Sequence, residues 1–244
     1  MPTIHGHRRG LPTPKKVLEV IVTSLEDARE AEAGGADRLE IVRDLGVGGL
    51  TPSLALVKEI VTGVATPARV MVRETANFLV HGKPEMDSLL RTMAELAQLP
   101  IDGVVLGFLK NRGVDLRTTE RILREGPKVR ATFHRAFEET RAPFDDLAVL
   151  ENLKQVDRIL TSGGPGDWAE KAAKLEALQQ ACRGRITILA GGGMTLEGVR
   201  YLRKHTSLGE FHVGAAVRIP ATLSGAVSAK QVAWFRRASA LDGP

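Results

Sequence analysis

The chain has 244 residues, 43% of them hydrophobic, which supplies one large core and matches the usual length of a single α/β barrel. Its 34 basic residues exceed its 29 acidic ones for a formal charge of +5, yet no Lys/Arg run forms a stripe. Nucleic acid and a membrane surface are therefore not expected partners, and a small anionic ligand or a metal ion is. The single cysteine, Cys182, excludes an intrachain disulfide and a thiolate-only zinc site, and points to a reducing, cytoplasmic address.

Residues 1–16 hold His5, His7, Arg8, Arg9 and three prolines, with no apolar stretch of signal-peptide or anchor length, and read as a flexible arm. From 17 to 244 short β-branched runs alternate with longer helical patterns, the sequence form of consecutive βαβ units. Strands are predicted at 17–22, 38–42, 69–73, 103–106, 129–134, 158–160, 186–190 and 210–213. Apolar stripes between them recur at helical spacing: Leu25, Ala28, Ala31; Leu54, Val57, Val61; Leu89, Met93, Leu96; Ala172, Leu175, Leu178, Cys182; Leu196, Val199, Leu202. Ser24 with Asp27 reads as a helix N-terminal pair, and Thr51-Pro52 as a cap before a first-turn proline. The tail from 221 to 244, with Val232, Trp234 and Phe235, reads as a helix closing the barrel bottom or meeting a subunit, its aromatics needing cover.

Eight strands with intervening helices predict a single-domain parallel (β/α)8 barrel. An open doubly wound sheet is disfavoured because the first strand runs into Thr23-Ser24-Leu25 rather than a G-x-G-x-x-G turn.

In such a barrel the loops after the strands converge on one face, so polar residues late in the strands are the candidates for chemistry. Glu19 and Glu40 sit inside apolar strands, where alternation points both carboxylates inward, and buried carboxylates need cations. Arg73, His134, Arg135, Arg158 and His212 are available at other strands. Two readings stand: a structural ion network, or a catalytic cluster of Glu19, Glu40, Arg73, His134, Arg135 and His212. The glycine-rich turns Thr161-Ser162-Gly163-Gly164, Gly191-Gly192-Gly193 and Gly214-Ala215-Ala216, with Arg218 nearby, suggest an anion site at Ser162, Gly163, Gly164, Gly192, Gly193, Gly214 and Arg218. Their alternative is simple tight turns.

The strings Leu18-Glu19-Val20, Gly34-Gly35-Ala36-Asp37-Arg38-Leu39-Glu40, Gly48-Gly49-Leu50-Thr51-Pro52-Ser53, Val70-Met71-Val72-Arg73, Phe133-His134-Arg135-Ala136-Phe137, Asp157-Arg158-Ile159-Leu160-Thr161-Ser162-Gly163-Gly164 and Gly191-Gly192-Gly193 with Phe211-His212 resemble the CutC family in order and spacing. The resemblance implies a β/α barrel, commonly a homo-oligomer, whose family name refers to copper homeostasis and copper-ion binding. It also marks departures. Val42 stands where the family usually has Cys, a soft ligand suited to Cu(I), and Val47 where an acid is usual. After Arg73 the chain reads Glu74-Thr75-Ala76-Asn77-Phe78, one residue shorter than the family's usual Pro-Arg-Gly-Gly-Asp-Phe and without its second arginine.

Three functions follow. Metal handling would use His134 and His212 with Glu19 or Glu40 as N/O ligands, copper being the ion the family name implies. A barrel enzyme of isomerase or lyase type would use His134 as general base or acid. Glu19 and Glu40 would then be its charge partners, Arg73 a clamp, and the glycine loops would hold a phosphate or carboxylate. A binding or assembly module is the third. Cys182 belongs to a helix stripe and has no predicted role.

Overall fold

The computed structural model describes residues 16–240; residues 1–15 of the predicted N-terminal arm and the last four residues of the tail lie outside the described part. Eight parallel strands close into one barrel: β1 (Val17–Val22), β2 (Arg38–Ile41), β3 (Ala68–Met71), β4 (Gly103–Leu106), β5 (Arg130–Phe133), β6 (Val156–Thr161), β7 (Thr187–Ala190) and β8 (Glu210–Val213). Each pairs with its neighbours in chain order and β8 returns to β1, so no edge is left open. All eight predicted strands exist, displaced by at most two residues at either end.

The helices are α1 (Leu25–Ala33), α2 (Leu54–Gly63), α3 (Gly82–Leu96), α4 (Leu116–Leu123), α5 (Pro143–Leu150), α6 (Trp168–Ala181), α7 (Leu196–His205) and α8 (Ala229–Ala240). Their predicted stripes face the sheet: Ala28, Ala31, Val57, Leu89, Met93, Leu175, Val199 and Leu202 are fully buried. Ser24 caps α1 by accepting from Asp27 N–H at 3.1 Å, as its position before the apolar stripe predicts. The second cap differs from expectation. Ser53, not Thr51, caps α2, because Thr51 is drawn away to bridge to β3, accepting from Arg73 N–H at 2.8 Å and donating to Arg73 O at 3.0 Å.

Helix α8 packs beside α7, α1 and β1, completing the helical ring with Val232 and Phe235 buried, while Trp234 stays 38% exposed. Its contact with the end of α1 is close: a Cβ at Gly34 would sit 2.5 Å from Val232 Cβ, so that position accepts nothing larger than glycine.

Candidate active site at the barrel mouth

The closed order of the strands brings charged side chains together inside the barrel. Arg38 on β2 pairs with Glu19 on β1 and also reaches Glu210 on β8 at 3.1 Å, two strands away. Arg158 on β6 reaches the same Glu210 at 2.6 Å and Asp157 at 2.7 Å. Arg69 on β3, fully buried, holds Asp157 at 2.7 Å, Asp102 at 2.9 Å and the Thr132 hydroxyl at 2.8 Å, and Arg130 closes the chain onto Asp102. Arg38, Arg69, Arg130 and Arg158 thus balance Glu19, Asp102, Asp157 and Glu210, the condition under which a buried network is tolerated.

At the upper end of this network stand Glu19, Glu40 and His212, all buried, with ligand atoms within 4.8 Å of one another. Register explains the meeting: Glu19 is the Cα partner of both Arg38 and His212, and Glu40 is the partner of Ile21 one step along. His212 Nδ1 lies 2.9 Å from Glu19 Oε1 and 3.3 Å from Glu40 Oε2. A ring nitrogen carries one hydrogen, and Glu19 takes it, so Glu40 Oε2 is buried without a hydrogen bond.

The protonation states follow from these contacts. Burial by itself would raise Glu19, but the Arg38 charge and then His212 outweigh it and hold the carboxyl far below the usual range. Burial dominates at Glu40 and, reinforced by the Glu19 charge against that of His212, pushes it up to about 7. For His212 burial acts downward, yet the Glu40 and Glu19 carboxylates prevail and raise it. The network below is already neutral, so Glu40 and His212 together divide one proton near neutral pH.

These two residues form part of the wall of a cavity of about 820 Å³ at the carboxyl ends of the strands. Arg73, Arg135, Gly192, Gly193 and Gly214 also line it, as do Glu138, Glu139 and Thr195, which the sequence reading did not single out. The amides of Gly193, Met194, Ala215 and Ala216 make no hydrogen bond within the described residues. Gly193 and Met194 directly precede the Thr195 cap of α7, and Ala215 and Ala216 line the same cavity from the turn after β8, an arrangement that favours an anion.

Other predicted residues are placed elsewhere. His134 is not in the cavity wall. It caps the 3-10 turn Arg135–Glu139, Nδ1 accepting from Ala136 N–H at 3.2 Å, and its ring packs on Phe78 at 5.1 Å. Burial first, then the Arg73 charge, pushes its pKa down to about 3, so the ring is neutral. Gly107 makes room for it, since a Cβ there would lie 2.6 Å from Nδ1.

The amides of the 162–164 turn are used internally. Ser162 N–H donates to Glu138, Gly163 N–H to Thr161 Oγ1 and Gly164 N–H to Ser162 Oγ. Gly163 and Gly164 face a separate cavity of about 430 Å³ beside Phe144. The terminal nitrogens of Arg218 are likewise engaged, on Asp27 at 3.0 Å and on the carbonyls of Ile21 and Gly225, while its Nε is buried without a partner. Arg73 gives hydrogens to the carbonyls of Gly49, Ala76 and Asn77, with no carboxylate within ion-pair distance among the described residues. Arg135 pairs with Glu138 at 2.8 Å and lies against Gly192, where a Cβ would come within 2.9 Å of its Nε. Cys182 is buried at the end of α6, its thiol pushed up to about 12 by burial and remote from the mouth.

Of the residues that build the site, Arg38 and Glu210 were missed, although Arg38 lies in the quoted strings. A strand arginine two residues before an inward glutamate was the available signal. Glu138 carried the weaker one of i,i+3 spacing from Arg135.

A closed parallel barrel with an acid and imidazole cluster at its mouth defines the general class of protein. The chain belongs to the CutC family, whose profile matches residues 16–217. It is 33% identical over 209 residues to a CutC family protein of Porphyromonas gingivalis, covering 84% of this chain and 83% of that one. It is 34% identical over 201 residues to a CutC family protein of Xanthomonas axonopodis pv. citri, covering 81% and 82%. The crystal structure of a CutC protein from Streptococcus agalactiae, whose description refers to copper homeostasis, superposes with a TM-score of 0.74 at 25% identity, covering 81% of this chain and 97% of that one. Among the described residues no helix is long and apolar enough to cross a membrane.

Proposed function

We propose that the barrel mouth performs proton transfer on a small molecule bearing a carboxylate or phosphate, with Glu40 and His212 as the groups that hold and move the proton. The observation that carries this reading is the Glu40 Oε2 atom, buried at the cavity floor without a hydrogen bond and next to an imidazole. A carboxyl near pH 7 is poised both to accept and to return a proton. Glu19, kept ionised by Arg38, accepts the Nδ1 hydrogen of His212; this fixes the ring and leaves Nε2 for the substrate. Arg135 and the unpaired amides after β7 and β8 supply the charge complement for the anionic group. His134, neutral and with Nδ1 accepting the Ala136 hydrogen, is read as a turn cap; its Nε2 is also buried without a partner but is not in the cavity wall.

The test is proton exchange with solvent. In D2O, small phosphorylated and carboxylated carbonyl compounds are screened by NMR for deuterium entering next to the carbonyl. We expect exchange with the unaltered protein and a loss of roughly a hundredfold or more in Glu40→Gln and in His212→Asn. Exchange that survives both substitutions, or none with any compound, sinks the reading.

A second reading is favoured by one observation, the convergence of Glu19, Glu40 and His212. Two carboxylates and one imidazole suit a borderline divalent ion, which these residues would hold and which would polarise a bound oxygen. They do not suit soft Cu(I): position 42 is an apolar Val, fully buried, and the thiol of Cys182 lies at the end of α6. Elemental analysis of protein purified without chelator decides. An ion near one per chain that is lost in His212→Ala supports metal handling, and a metal-free protein with no tight copper site removes it.

A further inference from the structure

The two sides of the mouth cavity differ. On the side of β5 to β7 it presents Arg135, Glu138, Gly192, Gly193 and Thr195, with Leu160 and Met194 as its apolar members. From β8 round to β3 it presents Ile21, Leu45, Val47, Met71 and Leu223, around the charged Glu40 and His212 of the same strands and Arg73 just after β3. Three of these, Ile21, Leu45 and Met71, belong with Val42 and Val105 to an apolar cluster separate from the main core. Val47 and Leu223 leave 44% and 47% of their surface exposed at the rim. Apolar side chains held in the wall of a cavity gain free energy only when something apolar covers them.

This wall is fixed in place by two arginines whose sequence suggested anion binding. Arg218, only 3% exposed, ties the loop that carries Leu223 to β1 and α1 through the carbonyls of Gly225 and Ile21 and the carboxylate of Asp27. Arg73 ties the turn that follows Val47 through the carbonyl of Gly49 at 3.2 Å and reaches toward that of Gly48 at 3.5 Å. Gly48 and Gly49 have φ of +85° and +89°, a conformation that glycine adopts without cost and that aims both carbonyls at the guanidinium. Both charges are thus used to hold an apolar surface at a set distance from the polar side, so little ordering cost is left for binding.

We infer that the substrate of the mouth site carries an apolar body of about aromatic-ring size as well as its anionic group, the body packing on Ile21, Leu45, Val47, Met71 and Leu223. This rests on the reading of the mouth as an anion-taking site, and it narrows that reading from small anions in general to amphipathic ones. A compact polar sugar phosphate would leave the β8-to-β3 wall uncovered; an aryl phosphate or arylacetate covers it while its charge meets Arg135 and the amides of the loop after β7.

The experiment is calorimetric titration of the full chain with four probes: 1-naphthyl phosphate, glycerol phosphate, 1-naphthylacetate and acetate. We expect each aromatic probe to bind on the order of tenfold or more tighter than the polar probe of the same charge group. Val47→Asn and Leu223→Ser should each erase most of that preference while leaving glycerol phosphate affinity within about twofold, the latter serving as the check that the fold and the anion end are intact. The phosphate and acetate pairs separate the two possible charge groups. If the polar probes bind as tightly as the aromatic ones, the inference falls and the anion reading stands. If the aromatic preference is present but unmoved by both substitutions, the apolar body lies elsewhere and the inference falls. If none of the four binds, the anion reading itself fails and takes this inference with it.

Discussion

The lower and upper ends of the barrel interior use the same residue types to opposite effect. Below, Arg69 is fully buried and its hydrogens are answered by Asp102, Asp157 and Thr132. Above, Glu40 is as deeply buried as Arg69, yet one oxygen has no partner and faces a cavity. Burial of charge is therefore no sign of function by itself. The difference lies in whether every donor and acceptor is met, because a satisfied network is rigid and inert whereas an unmet atom beside a cavity keeps its free energy for a ligand.

The largest effect that sharpens this contrast is expected at the lower end. Arg69→Leu strips the shared cation from Asp102 and Asp157 and should cost roughly 3–5 kcal/mol in urea unfolding. A loss below about 1 kcal/mol would show that the network is not the closed unit described.

Glu40→Gln should have the opposite sign. Because the folded pKa is raised from 4.5 to about 7, the ionised carboxyl destabilises the fold progressively as pH rises through that interval. The substitution should then stabilise by on the order of 2–3 kcal/mol at pH 8 and by little at pH 4.5. A gain that does not grow with pH contradicts the assignment. The two histidines give a spectroscopic companion: in a proton NMR titration His212 should remain protonated above pH 6.5, and His134 should stay neutral down to about pH 4. Since His134 is neutral when folded and titrates near 6.5 when unfolded, its contribution to stability is complete above 6.5 and is lost as pH falls toward 3.

The smallest effect on stability is expected at the mouth. Arg135, with its side chain 53% exposed, is paired among the described residues with Glu138 alone, so Arg135→Ala should change stability by less than about 1 kcal/mol. The same substitution should weaken glycerol phosphate binding severalfold, an asymmetry between stability and affinity that Arg69→Leu should reverse.

The sequence reading recovered the architecture because a barrel is written in local terms. Strand runs such as Val17–Val22 and Gly103–Leu106 are short β-branched runs buried at every position, the stripes on α1, α3 and α7 follow the 3.6-residue helical period, and each is visible in its own segment. The candidate site was legible in part. Glu19, Glu40 and His212 stood out as polar residues in apolar strands, which is an unfavourable place for a charge unless something answers it.

What answers it was not legible. Whether Arg218 meets an anion or Asp27, whether the 162–164 amides face a ligand or Glu138, and whether His134 reaches the cavity or caps its own turn all depend on partners up to 191 residues apart in the chain. Identity and spacing therefore determined the fold, the family and the list of inward charges. The closure of β8 on β1 decided which of those charges pair, since it brings His212 to Glu19 at hydrogen-bonding distance across 193 residues of sequence. Electrostatic roles are set by distances of a few ångströms between residues remote in sequence, and those distances exist only after the barrel has closed.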